Sequence, residues 1–497
     1  MTSKKLRCLF FLIASLIATQ AFSQSLTGSF SGVVTDEAGA AIPNASVKIV
    51  NAATGLEVFS GATGAEGLYR ATAIPAGVYN FVFAAQGFKQ FSLNNVGLAV
   101  DQRARIDAKL ELGAVTETVT VTSESGIQLD KETSALSETI DTDTVVNLPL
   151  NGRAVLNLLS LVGGISTSGD GSDVNTAQLS INGSRTLNSE FTVDGVSVVS
   201  GATGGLTRLP STEAIRELKV NTSAFSAEYG RTSGGSINSV IKSGTKQFHG
   251  TLYEYFRNEA LNANNFFRNL RGEQRPPDRY NLFGASLGGP FLLPKFDGGL
   301  PDLKRSRNTF FFFNYEGLRR KAPSSPLSSI PEERFRSGDF SAATVVIRDP
   351  VTRQPFPDNR IPENRIDPAA RRILALFPAP NTAGIIDPAT GRRLNNYVNT
   401  QSNPRNNDEY TTRIDHTAFK NGARIFGRFT HYRAFSKGVE DIAGPLNNEV
   451  GDSFTTGYQV ALGYTHNWSP QLITEINSFV HAGGTRSSSA GRRGFTG

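Results

Sequence analysis

The sequence contains almost no cysteine, methionine or tryptophan: each occurs once among 497 residues. Disulfide scaffolds, CxxC redox sites, cysteine-ligated zinc and iron–sulfur clusters are therefore excluded. Charge is also sparse, because Asp, Glu, Lys and Arg make up only 19% of the chain and the formal net charge is +6. No dense Lys/Arg block follows the N-terminal segment, so nucleic acid is not expected as a partner.

Glycine and phenylalanine, by contrast, are abundant, with 49 and 33 copies. Aromatic residues are scarce in disordered chains, so most of the length should fold. Gly and aromatic residues are poor helix formers and common in turns and strands, which favours a mainly β fold. The length suggests two to four structural units.

The N-terminus has the pattern of an export signal. Basic residues at 4–7 precede an apolar run at 9–18, which is too short to span a bilayer. Small residues around Ser23 predict cleavage between Ser23 and Gln24, so residues 1–23 form a signal peptide; the alternative is a buried N-terminal helix. No later window holds 18 apolar residues, so no transmembrane helix is expected in the mature chain, which leaves the cytoplasm.

Residues 27–112 alternate apolar and polar side chains in short runs, with a turn signal about every ten residues, which predicts a small β-sandwich. Its turns and strand ends carry Thr35, Asp36, Gly39, Ile42, Pro43, Ala45, Thr63, Gly64, Gly67, Leu68, Tyr69 and the 74–79 segment Ile-Pro-Ala-Gly-Val-Tyr. With these residues the segment resembles the carboxypeptidase regulatory-like domain, and that resemblance implies a transthyretin-like (Ig-like) β-sandwich. All five histidines lie from His249 onward and none begins HxxE or HExxH, so no catalytic zinc site is expected.

A linker at 113–142 contains an uninterrupted Val/Thr alternation at 115–122. Such a strand, if unpaired, can add to the edge of another sheet. The alternative is that it is one more strand of the sandwich, and the pattern alone does not distinguish the two.

Residues 138–245 change to a mixed α/β texture with a set of Gly, Asn, Asp and Arg motifs. The motif positions are Asn151, Gly152, Arg153, Asn182, Gly183, Arg185, Asp194, Gly195, Tyr229, Gly230, Gly234 and Gly235. With these motifs the segment resembles the plug domain of TonB-dependent outer-membrane receptors, more narrowly of the Oar-like type with a regulatory-like sandwich before the plug. On this resemblance a TonB box falls at Glu117, Thr118, Val119, Thr120 and Val121, and TonB is the implied periplasmic partner.

Residues 246–497 then form the N-terminal part of a transmembrane β-barrel, which the alternation tests independently. Outer-membrane strands alternate lipid-facing and lumen-facing side chains over about 9–11 residues. Seven strands are predicted, near 249–257, 279–289, 308–318, 409–419, 423–435, 453–468 and 471–482. The predicted lipid-facing side chains are Tyr458, Val460, Leu462, Tyr464, Trp468, Leu472 and Ile476, and His466 falls on the same face.

The connections alternate between short turns, near 420–422 and 469–470, and long loops at 436–452 and 320–408, as expected for periplasmic turns and external loops. The 291–307 connection is too long for this rhythm. Within the second predicted strand, Gly284–Gly288 fits the GxSxG pattern of hydrolases, but Gly-Pro follows it where that motif needs a helix. The Asp pairs at 141–143 and 170–173 do not continue into an EF-hand loop.

Seven strands cannot close a wide barrel, and plugged transporters have 22. The chain is therefore expected to be an N-terminal fragment of a longer product. The family resemblance implies a non-enzymatic outer-membrane receptor for energised uptake of a scarce bulky solute, such as an iron–siderophore complex, cobalamin or an oligosaccharide. No cofactor is expected, and the ligand is not identified. The alternatives are an Oar-like adhesion or envelope-organising protein without transport, and a secreted carbohydrate-binding protein.

Overall fold

The fold was analysed in a computed structural model of the chain. It describes residues 27–114, 118–122, 135–148, 150–168, 178–185, 187–199, 206, 209–225, 232–270, 272, 274–295, 302–418, 423–444, 451–469 and 472–488. The predicted cleavage residues Ser23 and Gln24, together with Glu117, Tyr229 and Gly230, lie outside these ranges. Strands dominate the described chain, so the prediction of a mainly β fold is confirmed.

The first nine strands form a two-sheet sandwich. One sheet has the order β4-β1-β7, with β8 also pairing with β1, and the other has the order β3-β2-β5-β6-β9. The strands are β1 (Thr27–Thr35), β2 (Ser46–Asn51), β3 (Glu57–Ala62), β4 (Leu68–Pro75), β5 (Gly77–Ala84), β6 (Gln90–Leu98), β7 (Arg103–Arg105), β8 (Ala108–Lys109) and β9 (Thr118–Thr122).

The core of the sandwich is aromatic. Every second residue of β1 is buried, as expected for a strand that covers a core with one face. The ring of Phe30 on β1 meets the ring of Phe81 on β5 edge-to-face, with centroids 4.8 Å apart. Tyr79 and Phe83 extend the same cluster from β5, and both are fully buried. The two sheets are therefore held together by rings contributed mainly by β5.

A second unit, termed here the middle domain, follows between residues 135 and 241. Its main sheet has the order β10-β15-β16-β13-β14, and two helices pack in its core. The elements are β10 (Leu136–Ile140), α1 (Thr142–Asn147), α2 (Val155–Leu159), β11 (Ile165–Ser168), β12 (Gln178–Ile181), β13 (Ser189–Val193), β14 (Val196–Ser197), β15 (Ile215–Ser223) and β16 (Gly235–Ile241), with single 3₁₀ turns at Asn151–Arg153 and Thr212–Ala214.

Neighbouring strands of the middle domain are not all paired in chain order. β12 pairs with β11, while β13 pairs with β14 and, in parallel, with β16. A single 3₁₀ turn at Thr212–Ala214 leads into β15, which begins at Ile215. Asp141 is the N-cap of α1, and its carboxylate accepts a hydrogen bond from the Thr144 N–H.

The remaining long strands form one sheet, termed here the wall sheet, with the consecutive antiparallel order β17-β18-β19-β24-β25-β26-β27. Seven strands thus lie at the seven predicted places. Their bounds are β17 (His249–Asn258), β18 (Arg279–Lys295), β19 (Asp302–Ser324), β24 (Gln401–Thr417), β25 (Arg424–Ser436), β26 (Asp452–Ser469) and β27 (Leu472–Ser488), with α3 (Phe266–Leu270) between β17 and β18.

The strand limits predicted around the 291–307 connection are too short. β18 runs on to Lys295 and β19 begins at Asp302, so most of that connection is a continuation of the two strands. The register shifts between Pro290 and Leu292, where a bulge accommodates the proline. Proline in a strand is tolerated at such a bulge, whereas in the sequence it indicates a strand end. The GxSxG segment lies inside β18, in a strand rather than a nucleophile turn.

The long connection between β19 and β24 is itself folded. It contains α4 (Glu333–Arg336), α5 (Pro368–Ala375) and two short two-stranded antiparallel sheets, β20 (Leu327–Ser328) with β23 (Tyr397–Val398) and β21 (Ile385–Ile386) with β22 (Arg393–Leu394). The buried Asn396 amide joins the two ends of this connection, because it accepts a hydrogen bond from the Ile330 N–H and donates one to the Ile330 carbonyl, each at 2.8 Å. This long connection and the one after β25 leave the wall sheet at the same end, opposite the short turns that follow β24 and β26.

Candidate functional site

The middle domain packs against the inner face of the wall sheet. Phe312 of β19 is 1% exposed and belongs to the hydrophobic core of the middle domain. Around it the inner face is polar, and this polar surface is buried. Its buried members on β19, β24 and β25 are Asn314, Glu409, Thr411, Arg428 and Thr430. A buried polar interface must satisfy its hydrogen-bonding groups, so its contacts define how the middle domain is held.

Asp194 is the centre of the strongest contact. It follows β13 in a turn with a positive φ of 49°, and Gly195 continues the turn at 70°. The Asp194 N–H donates to the Ser239 carbonyl at 2.9 Å, and its Oδ1 accepts from the Ile241 N–H at 3.1 Å. Because the turn is fixed to β16, the fully buried carboxylate is presented in one direction, toward the wall sheet.

Two arginines of the wall sheet meet this carboxylate. Arg413 on β24 donates from Nη1 to Oδ1 at 2.7 Å, and Arg428 on β25 places Nε 2.9 Å from Oδ2. Arg413 is also paired with Asp415 at 2.8 Å, whereas Arg428 has Asp194 as its ion-pair partner among the described residues. Opposite charges in a low-dielectric site attract strongly, and removal of one partner leaves the other buried and unpaired. The middle domain is thus joined to two strands by charge.

A second contact lies at Ser211, just before the 3₁₀ turn that starts β15. Its backbone N–H donates to Glu409 Oε1 on β24 at 2.9 Å, and its hydroxyl accepts from Asn314 Nδ2 on β19 at 2.7 Å. All three residues are buried. The carboxylate therefore satisfies a backbone group of the middle domain, which again couples that domain to the wall sheet.

Arg153 anchors the third contact. Its Nη2 lies 2.7 Å from Glu213 Oε1, and its Nη1 donates to the Val146 carbonyl at 2.7 Å. The guanidinium stacks over the ring of Tyr255 on β17, 4.6 Å from the centroid. Tyr280 on β18 donates its hydroxyl to the Gly152 carbonyl at 3.1 Å. The predicted Gly152–Arg153 position is thus a contact with the wall sheet.

The N-terminal sandwich contacts the middle domain through the loop after β6. The Val100 N–H donates to Glu217 Oε1 at 2.6 Å, and Lys219 Nζ donates to the Asp101 carbonyl at 2.8 Å. Burial raises the pKa of Glu217, a shift opposed first by the neighbouring Arg216 guanidinium and then by the Val100 hydrogen bond. The sandwich also contacts the loop between β16 and β17, where the Lys246 N–H donates to the Ala53 carbonyl at 3.1 Å.

The other plug-motif positions occupy tight turns and close packing within the middle domain. Asn182 and Gly183 have φ of 50° and 73°, and the Asn182 amide donates to the Thr222 carbonyl at 2.8 Å. At Gly235 a Cβ would lie 2.7 Å from Ile181 Cδ1, so only glycine fits there. Ser184 fills the space beside Gly234 in the same way. Arg185 is exposed, and only the backbone of Asn151 is described, in a 3₁₀ turn.

The segment singled out as a TonB box forms strand β9 from Thr118 to Thr122. Its backbone pairs in parallel with β6, with Val119 opposite Phe91 and Val121 opposite Leu93. β9 is therefore one more strand at the edge of the sandwich, which is the second of the two arrangements that the sequence allowed. The other edge of β9 carries no strand among the described residues.

The outward face of the wall sheet is apolar, in agreement with the alternation. Half or more of the surface of Leu462, Trp468, Leu472 and Ile476 is exposed, and Tyr458 is 45% exposed. Val460 and Tyr464 are half-buried by neighbouring side chains. His466, expected on this exposed face, is instead buried because the Trp468 ring covers it edge-on with centroids 4.2 Å apart.

Three of the residues that join the middle domain to the wall sheet were not singled out from the sequence. Alternation along β24 places Glu409 and Arg413 on the inner face and the apolar Tyr410 and Ile414 on the outward face. Arg428 lies on the inner face of β25, where it pairs with Arg413. Charged side chains on the inner face of strands whose other face is apolar are the signal that could have identified them. Asp194, the partner of the two arginines, and Ser211, the partner of Glu409, are distant in sequence, so neither contact could be inferred from a local pattern.

In the part of the chain that the structure describes, no three His, Cys, Asp or Glu side chains are grouped closely enough to hold a metal ion. Within the same residues, no helix is both long enough and apolar enough to cross a membrane.

Comparison with known proteins gives matches to two families. Residues 240–494 match the family described as "Outer membrane beta barrel domain", and residues 29–111 match the "Carboxypeptidase regulatory-like domain". Over 261 residues the chain is 27% identical to the TonB-dependent transporter Oar of Myxococcus xanthus. This alignment covers 50% of the chain and 24% of the relative, so the chain spans about a quarter of that relative's length.

Two solved structures resemble parts of the chain at low identity. The outer membrane transporter YddB from Escherichia coli gives a TM-score of 0.43 at 12% identity, over 71% of this chain and 40% of that one. The ferric enterobactin receptor PfeA from Pseudomonas aeruginosa gives 0.38 at 12% identity, over 70% and 40%.

Proposed function

The chain belongs to the outer membrane beta barrel family, and from this premise we propose that it is a receptor for TonB-dependent uptake across the outer membrane, with the middle domain as the plug. The observation that carries the proposal is the buried contact of Asp194 with Arg413 and Arg428. Desolvated ion pairs hold the middle domain against the wall sheet at rest. Because these pairs are few, few contacts have to break when the domain is pulled. The similarity to a TonB-dependent transporter supports the same assignment.

In this proposal TonB binds and pulls on β9. TonB would bind the segment Glu117–Val121 by adding its own strand to the free edge, a pairing that uses backbone hydrogen bonds. Tension then reaches the middle domain by two routes: along the chain toward β10, and through β6 and its following loop, where Val100 contacts Glu217. The first contact beyond β15 and β16 is the one at Asp194. No covalent chemistry is required of any residue.

We propose a scarce, bulky solute as the substrate: an iron–siderophore complex, cobalamin or an oligosaccharide. An inward-facing guanidinium toward the long-connection end of the wall sheet supports a ligand with a planar or anionic part. Arg257 lies on the inner face of β17 and stacks over Tyr280 with 5.0 Å to the ring centroid. Aromatic rings and guanidinium groups recognise such ligands by stacking and charge-assisted hydrogen bonds.

The test changes the β9 backbone in the complete gene product. Val119→Pro removes the N–H that strand addition needs and disfavours an extended ladder, whereas Val119→Ala keeps the N–H and is the matched control. Growth of a deletion strain carrying each variant is measured on a panel of iron chelates, cobalamin and oligosaccharides. Each of these is supplied as the sole source of the nutrient.

We expect the proline variant to lose growth on the one substrate that the unmodified protein and Val119→Ala support, with equal protein in the outer membrane. Equal growth of the proline and alanine variants would contradict TonB-dependent uptake. If no panel member requires the gene while its deletion reduces cell adhesion, the non-transporting adhesion protein is the better assignment.

A further inference from the structure

The outward face of the wall sheet carries a groove near the end with the long connections. The groove crosses four strands, β24 to β27, and has a volume of about 840 Å³. Gly484 of β27 forms part of its floor, and a Cβ built at Gly484 would meet no heavy atom within 4 Å. Space of this size is sufficient for a small organic ligand or headgroup.

Two arginines give the groove its charge. Arg433 on β25 pairs with Thr456 of β26, and Thr456 pairs with Gly484 of β27. Arg486 lies two residues beyond Gly484, on the same outward face of β27. Both side chains are exposed, and neither has a carboxylate within ion-pair distance among the described residues. The Asp408 carboxylate at the groove's margin is engaged by Arg319 at 2.7 Å and by the Tyr315 hydroxyl at 2.8 Å. The groove is therefore positively charged.

The height of the groove relative to the bilayer follows from strand geometry. Trp468, at the short-turn end of β26, is at the position of an interfacial aromatic residue. Thr456 lies about twelve residues away along the strand, which at ~3.3 Å per residue and a tilt of roughly 40° is on the order of 30 Å along the membrane normal. The apolar band of such barrels is about 25 Å tall. Arg433 thus lies just beyond the hydrocarbon, among the headgroups of the leaflet on the long-connection side.

An apolar surface continues from the two arginines toward the membrane interior. The rings of Phe435 and Phe454 pack together with centroids 4.8 Å apart beside the groove. Below them the outward face presents Tyr458 and Leu462, both substantially exposed. A ligand with an anionic head and acyl chains would match this order, with the head between the arginines and the chains along the strands.

We propose that this groove binds the phosphorylated headgroup of an outer-leaflet lipid, with the phosphate between Arg433 and Arg486 and the acyl chains along β26. The planar guanidinium suits phosphate because it donates two parallel hydrogen bonds to one group. Such a lipid stabilises the outward face without entering the lumen. The inference rests on the outer-membrane location and the groove, and it is independent of whether the protein transports a solute.

The test uses the complete gene product, purified in a neutral detergent and freed of lipid, with diphosphorylated lipid A as the probe. Binding is measured by titration at low salt for the unmodified protein, for Arg433→Gln with Arg486→Gln, and for Arg372→Gln. Arg372 is an exposed arginine on α5 of the long connection, outside the wall sheet, and provides the matched control for loss of one positive charge. Fully dephosphorylated lipid A and inorganic phosphate are the two further probes.

The double variant should bind diphosphorylated lipid A about 30-fold more weakly, roughly fivefold for each arginine near a membrane surface. Arg372→Gln should bind diphosphorylated lipid A with unchanged affinity. The unmodified protein should bind dephosphorylated lipid A no more tightly than the double variant binds the diphosphorylated form. Equal affinity of the double variant, or equal binding of dephosphorylated lipid A, would overturn the proposal. Full displacement of lipid A by millimolar inorganic phosphate would also overturn it, because it would indicate a site for free phosphate. Correct folding of the double variant is checked by its unchanged melting temperature in detergent.

Discussion

The Asp194 carboxylate and the Arg428 guanidinium lie 2.9 Å apart, with side chains that are 0% and 1% exposed. One belongs to a turn of the middle domain and the other to the inner face of the wall sheet, so their ion pair joins two separately formed parts of the fold. Each charge has lost its hydration, and Asp194 is the ion-pair partner of Arg428 among the described residues, so its loss would leave the guanidinium without a counter-charge. The pair therefore determines how the middle domain docks on the wall sheet more than it adds to the overall stability.

Substitution of Asp194 by Asn should loosen the middle domain. The amide keeps the shape of the side chain but leaves Arg428 buried without a counter-charge, which typically costs about 3–5 kcal/mol. Hydrogen exchange of the β13 and β16 amides in the intact protein measures the free energy of opening of this domain. We expect that free energy to fall by about 3 kcal/mol or more.

Glu363→Gln provides the comparison for this experiment. Glu363 pairs with Arg371 on the surface of the long connection, where both side chains are exposed, and such pairs contribute roughly 0–1 kcal/mol. An Asp194→Asn effect no larger than that of Glu363→Gln would show that the buried pair does not hold the domain.

The contact between the sandwich and the middle domain should weaken as the pH rises. Burial raises the pKa of Glu217 in the folded protein. The folded state therefore holds the proton more tightly than the unfolded state does. The stability from protonated Glu217 is complete below the ordinary value of 4.5 and is lost as the pH rises through the folded pKa. Hydrogen exchange at Val100 and Gln102 between pH 4 and pH 8 should show faster opening at high pH.

Glu217→Gln should remove this pH dependence, since the amide oxygen still accepts from the Val100 N–H but cannot ionise. Protection of the loop in this variant should remain near the low-pH level of the unmodified protein. The same slope of protection against pH in both proteins would exclude Glu217 as the titrating group.

Gly235→Ala should disturb the packing of the middle domain. The added Cβ would lie 2.7 Å from Ile181 Cδ1 and 2.8 Å from the Asn221 carbonyl oxygen, so the backbone of β15 or the Ile181 side chain has to shift. Overpacking of this kind typically costs about 1–3 kcal/mol. Gly163→Ala is the matched control, because nothing lies within 4 Å of a Cβ there. Protease resistance of the middle domain should fall for Gly235→Ala only; an equal fall in both variants would count against close packing at Gly235.

Strand alternation predicted the wall sheet well because it is a local property with a period of two. It placed Tyr458, Leu462 and Ile476 on one face, and the structure exposes all three there. It did not place His466, because the burial of that ring depends on the conformation of Trp468. It ended the second strand of this sheet near residue 289, although the register with β19 continues past Pro290 and Pro294 with one bulge.

The contacts between domains could not be predicted in the same way. Asp194 was identified through a family motif, yet its partners on β24 and β25 depend on how two domains dock, which no sequence period encodes. Glu217 and Val100 meet across a boundary for the same reason. The parallel pairing of β9 with β6 was one of two arrangements that the Val/Thr pattern allowed, and the geometry of the sandwich edge decides between them.

The two faces of β27 should differ in their access to lipid and to water. Ile476 points outward and Asn477 inward, and both pair with neighbouring residues of β26. Cysteine at either position is the one labelling site within residues 24–497, because the single cysteine of this sequence, Cys8, precedes the predicted cleavage site; the protein without an introduced cysteine is the labelling control. A spin label at 476 in the membrane-inserted complete protein should relax with oxygen, and one at 477 with a water-soluble nickel reagent. Equal water access at both positions would contradict a lipid-facing outer surface.

The central claim, that uptake requires the middle domain to separate from the wall sheet, is tested most directly by tethering the two. Ser211 and Asn314 touch through their side chains at 2.7 Å, so Ser211→Cys with Asn314→Cys can be joined by a short bis(methanethiosulfonate) reagent, which forms a reducible disulfide with each thiolate and releases methanesulfinate. Substrate uptake by cells carrying this pair should stop when the reagent links the cysteines and return on reduction, while either single variant treated in the same way keeps its uptake. Undiminished uptake by the linked protein would contradict the claim.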